Sequence, residues 1–137
     1  MQLGYWQNNI TSNDHTLEVT DNNWFVYVAR SAAYSRLNNY RQAIEDCSRA
    51  IEIKPNCEMA YYNRGVAYGM LGNYRQAMED FNRAIEIKPD FELAYNNRAC
   101  IYLDQGDKIS SCRDALKACA IGICKALEMA KSKGYCR

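Results

Sequence analysis

The sequence predicts an all-α fold, a stack of helical hairpins repeated along one chain, and three observations carry that expectation. Residues 39 to 56, NYRQAIEDCSRAIEIKPN, return at 73 to 90 as NYRQAMEDFNRAIEIKPD, with 14 of 18 residues identical at an offset of 34. Within each copy apolar residues recur at three- and four-residue steps, as in Ala77, Met78, Phe81, Ala84, Ile85 and Ile87, which builds one broad helix face. Turn residues and prolines fall at matching places, with Asn38, Gly72 and Gly106 one period apart and Pro55 and Pro89 closing the first two copies.

Residues 1–23 are expected to form a degenerate second helix of a preceding unit. Gly4, Trp6, Ile10 and Leu17 fall one period before Asn38, Tyr40, Ile44 and Ile51, but Asn9 and Thr16 stand where the repeats place Ala43 and Ala50. Repeat 1 spans 24–57, repeat 2 spans 58–91 and repeat 3 spans 92–123, with Ile123 where the others have proline. In repeat 2 the two helices are expected at 58–70 and 74–87. Asn39, Asn73 and Asp107 stand at the starts of the second helices, and Gln42 and Gln76 complete an Asn-x-x-Gln capping box in the first two. Short helix pairs bury too little alone, so consecutive units share a core. Gly122 then breaks the helix, and residues 124–137 form a cap and tail whose short helix, about 123–132, folds back with Ala126, Leu127 and Ala130.

In AYYNRGVAYGMLGNYRQAMEDFNRAIEIKP, residues 60–89, the chain resembles the tetratricopeptide repeat family, over about three quarters of its length. The resemblance implies a right-handed superhelical stack of three helix-turn-helix units in one domain, between the worn half-repeat and the capping helix. It also implies a non-enzymatic protein-protein interaction module. Less specifically, QLGYW with LEVTDNNW is similar to the junction leading into tetratricopeptide tails of bacterial membrane glycosyltransferase-like proteins. That similarity implies a structural or accessory segment of a larger membrane-anchored enzyme, acting in self-association or domain organisation. The location is then periplasmic or extracytoplasmic, and otherwise cytoplasmic.

Net charge is +1, which argues against a nucleic-acid partner. The charge is uneven: residues 1–106 hold 10 Lys and Arg against 13 Asp and Glu, and residues 107–137 hold 7 against 3. A solvated helix face and an acidic partner both account for the basic tail. No apolar run approaches the roughly 20 residues of a membrane span, so no membrane insertion is expected of this segment, and MQLGYWQNN lacks the marks of a secretion signal. The one histidine, His15, and the absence of nucleophile-elbow, phosphate-loop or zinc-protease motifs argue against catalysis and against a cofactor.

Two sets of residues are candidates for structure and binding. Arg30, Arg64 and Arg98 precede Asp46, Asp80 and Asp114 by 16 residues, equally far from the hairpin turn, and each is expected to bridge its hairpin. The family's groove, carried onto this chain by the resemblance, takes Phe25, Val28, Ala32 and Arg36 from repeat 1. From repeat 2 it takes Met59, Tyr62, Asn63, Val66 and Met70, and from repeat 3 Leu93, Asn96, Asn97, Cys100 and Asp104. Apolar side chains among carboxamides suit a peptide segment or helix, since an amide both donates to and accepts from a ligand backbone. Asn63 and Asn97 match groove asparagines of the family, with Ala29 in repeat 1. The family's carboxylate clamp for chaperone tails needs basic groups where this chain has Val28, Leu93 and Asn97, so an acidic tail is not the expected ligand of that groove.

Cys47 aligns with Phe81 and is expected in the core, and Cys57 lies in the linker before repeat 2. The tail cysteines 112, 119, 124 and 136 are 7, 5 and 12 residues apart, without the close pairs of a zinc site, so no metal is expected. A returning cap brings Cys124 near Cys119 and, beyond Gly134, Cys136 near Cys112. Disulfides 119 with 124 and 112 with 136 are the favoured connectivity, requiring an oxidising compartment, and reduced packed thiols are the alternative.

Overall fold

The computed structural model describes residues 23–136; the degenerate N-terminal helix, with His15, lies outside the described residues. These fold as helices without a strand: α1 Trp24–Arg36, α2 Tyr40–Ile53, α3 Glu58–Met70, α4 Tyr74–Ile87, α5 Glu92–Gln105, α6 Lys108–Ile121 and α7 Lys125–Ser132. Helices α3 and α4 occupy the spans the periodicity assigns to repeat 2, and α7 begins two residues later than the sequence suggests.

The turn at the centre of each hairpin sets the period. Asn38 (φ 61°), Gly72 (φ 83°) and Gly106 (φ 78°) are left-handed, a conformation that glycine enters freely and asparagine tolerates. The reversal lets the next residue send its N–H back to a tyrosine carbonyl: Asn39 to Tyr34 at 2.9 Å, Asn73 to Tyr68 at 2.9 Å and Asp107 to Tyr102 at 3.0 Å. Three first helices thus end in the same way, with carbonyls that a free helix end leaves orphaned.

Helix starts are less uniform. Asn23 Oδ1 accepts from the Val26 N–H at 3.2 Å and Asp107 Oδ1 from the Ser110 N–H at 3.1 Å. The capping box expected at Asn39 does not form, because its side chain makes no cap bond. There the helix starts on a backbone bond from the Ala43 N–H to the Asn39 carbonyl at 3.2 Å.

Packing divides the chain into two compact units between Ala77 and Met78, inside α4. In the first, α1 packs on α2 and α3, and α2 on α3. Tyr27, Ala50, Cys57 and Ala60 form a core there, ringed by Trp24, Val26, Val28, Ile51 and Ile53. Fully buried Ala43, Ala50 and Ala60 mark where the helices approach closely.

In the second unit α5, α6 and α7 all touch one another. Their core joins Ala99, Leu103 and Ala115 to the cap residues Ala126, Leu127, Ala130 and Cys136. Cys47 and its register mate Phe81 are both buried, as small and large fillers of one repeat position. No described helix is long and apolar enough to cross a membrane.

Candidate functional site

The hairpin arginines touch more than the aspartates that the register assigns to them. Arg30 donates from Nε and Nη2 to the two carboxylate oxygens of Asp46, both at 2.7 Å, and Arg98 does the same to Asp114 at 2.6 and 2.8 Å. These paired bonds hold both guanidinium groups above their ordinary pKa, against the opposing effect of burial. Arg98 also donates to Asn82 Oδ1 at 2.7 Å, and Arg64 donates to Ser48 Oγ at 3.1 Å. Ser48 and Asn82 are one period apart, each 16 residues before its arginine. An arginine therefore ties a first helix back to the second helix of the preceding repeat, as well as forward to the second helix of its own. Tyr27, Tyr61 and Tyr95 complete the pattern, each beneath the guanidinium three residues on, at 5.9, 5.6 and 5.5 Å. Asp80 is buried; its pairing with Arg64 remains an expectation of the register.

On the first helices the candidate binding residues differ in how much surface they offer. Phe25 is 65% exposed, Met59 39% and Leu93 37%, and these three stand one period apart at the second residue of α1, α3 and α5. Tyr62, Val66 and Val28 are half-buried, and Val28 leans on the core of the first unit. Asn63 Nδ2 donates to Ser31 Oγ at 3.4 Å, across from α3 to α1. Since Ser31 is buried and itself donates to the Val28 carbonyl at 2.7 Å, that amide is oriented from below.

In the second unit Asn96 Oδ1 accepts from the Ala126 N–H at 3.1 Å, and Asn96 Nδ2 donates to Asn97 Oδ1 at 3.5 Å. The N-cap residue of α7, Cys124, makes no side-chain cap bond. Asn96 supplies an acceptor to that helix start from a neighbouring helix. Cys100 packs on the core shared with the cap. Burial pushes its thiol up, Asp104 adds to the rise, and Lys125 opposes it.

The tail cysteines lie beside that interface. Cys112 is joined to Cys136 and Cys119 to Cys124 as disulfides, and Cys47, Cys57 and Cys100 belong to neither bridge. Both bridges connect α6 to the cap and tail. Among the described residues no group of three or more His, Cys, Asp or Glu is placed to hold a metal ion.

Sequence periodicity alone missed Ser48, Asn82 and the three tyrosines, although all five sit in register with their arginines. The capping role of Asn96 has no such signal, because it depends on where the cap returns.

Comparison with protein-family models matches residues 59–91 to the tetratricopeptide repeat and residues 32–72 to a TPR repeat. Comparison with curated proteins finds no match. Among solved structures, a crystal structure of MamA superposes with a TM-score of 0.85 at 20% identity, over 96% of this chain and 81% of that one. MamA from Desulfovibrio magneticus RS-1, residues 41 to its end, gives 0.78 at 18% identity, over 86% and 67%. The first TPR of Spaghetti (RPAP3), bound to the HSP90 peptide SRMEEVD, gives 0.75 at 18% identity, over 80% and 88%. At these identities the likeness is one of fold.

Proposed function

Because the chain belongs to the tetratricopeptide repeat family, we infer that it is a non-enzymatic protein-protein interaction module whose first helices take up a peptide segment or helix of another protein. The observation that carries this reading is the periodic exposure of Phe25, Met59 and Leu93 beside half-buried carboxamides. Large apolar side chains left in water at one repeat position supply contact area for a ligand. Asn63, oriented by Ser31, supplies a backbone-reading amide. Asn97 is proposed for the same role in repeat 3, while the amide of Asn96 is engaged by the cap.

The RPAP3 neighbour holds an acidic peptide, but the groove proposed here lacks the basic groups to do so, with Val28, Leu93 and Asn97 at the clamp positions. A carboxylate there meets apolar side chains and is desolvated without a counter-charge.

The test starts from a displayed library of 12-residue peptides selected on the folded chain. Selected peptides are expected to bind an Asn63→Ala/Asn97→Ala double variant at least tenfold more weakly, at roughly 1 kcal/mol per lost hydrogen bond, with the helical spectrum unchanged. SRMEEVD is expected not to bind. Unchanged affinity in the double variant, or tight binding of SRMEEVD on the first helices, contradicts the reading.

The disulfides favour a second reading, a segment of a larger extracytoplasmic protein, because such bridges persist where the surroundings are oxidising. On that reading the repeats organise a neighbouring domain or self-associate. Sedimentation of the parent protein with and without residues 24–123 separates the two, since loss of assembly on deletion supports the organising role.

A further inference from the structure

The second helices of the repeats carry a surface that the first helices do not explain. In α2 the outward residues are Arg41, Glu45, Arg49 and Glu52, and in α4 they are Arg75, Glu79, Arg83 and Glu86, all exposed. Opposite charges alternate at three- and four-residue steps, the pattern of a helix face that meets only water. Arg83 and Glu86 form one such pair at 3.0 Å. Two repeats thus display what this scaffold uses on a solvated face.

Helix α6 departs from that pattern at every acidic position. Ile109 stands where the earlier repeats have Arg41 and Arg75, and Arg113 replaces Glu45 and Glu79. Leu116 replaces Ser48 and Asn82, and Ala120 replaces Glu52 and Glu86, while Lys117 keeps the positive charge of Arg49 and Arg83. Ile109 is 78% exposed, more than any other large apolar side chain among the described residues, and Leu116 is 54% exposed. Residues 109, 113, 116 and 120 follow helical spacing along one stripe, about 16 Å long at 1.5 Å per residue. Arg113 donates to Ser110 Oγ at 3.5 Å and Lys117 lies over the Tyr95 ring at 5.9 Å, so neither contact neutralises its charge.

We propose that this stripe of α6 docks an acidic amphipathic helix of a partner protein, about three turns long. Its apolar residues cover Ile109 and Leu116, and its carboxylates meet Arg113 and Lys117. Charge complementarity selects the acidic partner: against the earlier repeats this face loses both acids and one base and gains a base at Arg113, which leaves Arg113 and Lys117 with no acid among these positions. A helix is favoured over an extended peptide because the outer face of a helix has no free backbone edge to pair with. Two large apolar side chains and two cations are also scant for a lipid surface, whose attraction grows with buried apolar area and basic charge. The surface is separate from the first-helix residues of the proposed groove.

The probe is a fluorescein-labelled 15-residue designed peptide with leucines at helical i, i+3 and i+7 spacing and glutamates on either side. Saturable binding to the oxidised full chain is expected, weakening at least tenfold between 50 and 300 mM salt. The variant Ile109→Arg/Arg113→Glu/Leu116→Asn/Ala120→Glu gives α6 the exposed residues that α4 already carries. It is expected to keep its helical spectrum and melting temperature and to lose at least tenfold in affinity. The Asn63→Ala/Asn97→Ala variant is expected to bind the probe like the unsubstituted chain. Equal binding by the four-site variant, or no saturable binding at all, overturns the proposal. Preferential binding to phosphatidylserine vesicles, lost in the four-site variant, also overturns it and assigns the stripe to a membrane.

Discussion

At the scale of single residues, the arginines show how a repeat protein turns one side chain into a joint. Arg98 reaches Asp114 with a two-pronged bond, Asn82 with a third donor and the Tyr95 ring with its face. A lysine lacks the planar fork for this set of contacts. Removing the guanidinium leaves Asp114 buried and without that partner, which costs about 3 kcal/mol or more. Arg98→Ala is therefore expected to lower the melting temperature by roughly 10 °C, and a fall of less than 2 °C makes the joint dispensable. The pH dependence has a definite sign. The folded pKa of Arg98 is raised, so its contribution is complete below the ordinary value of the group and is lost only as pH rises through the folded one. The guanidinium's share of the Arg98→Ala loss is thus constant from pH 6 to 9, which denaturant titrations at both ends check.

At the scale of elements, the cap is where local sequence and tertiary structure contribute most unequally. Gly122, at φ 144°, ends α6, and the sequence marks that break plainly. The start of α7 depends on Asn96, thirty residues earlier, and no local pattern announces such a partner. Two disulfides hold the same element, closing separations of 24 and 5 residues. Chain entropy alone assigns them roughly 3 and 2 kcal/mol. Alkylation of the denatured, unreduced protein is expected to label Cys47, Cys57 and Cys100 and to spare the four tail cysteines. Labelling of all seven in mass spectra removes the bridges, and with them the argument for an oxidising compartment.

At the scale of the whole molecule, the 34-residue period made most of the described helices legible. Glycine or asparagine at the hairpin turn, alanine at the close approaches and proline after the second helix all act through local backbone chemistry. The site was legible to a lesser degree. Phe25, Met59 and Leu93, carried over by the family resemblance, are exposed, but Val28 and Cys100 lean on cores, and Asn96 is engaged by the cap. Which side of an amphipathic helix a neighbour covers is decided by packing, which a single sequence does not display. Interaction through the first helices is the central claim, and amide hydrogen exchange tests it most directly. With a library-selected peptide bound, slowed exchange is expected to concentrate in 24–36, 58–70 and 92–105, the first helices. Protection confined to the second helices, or none above the free chain, contradicts it.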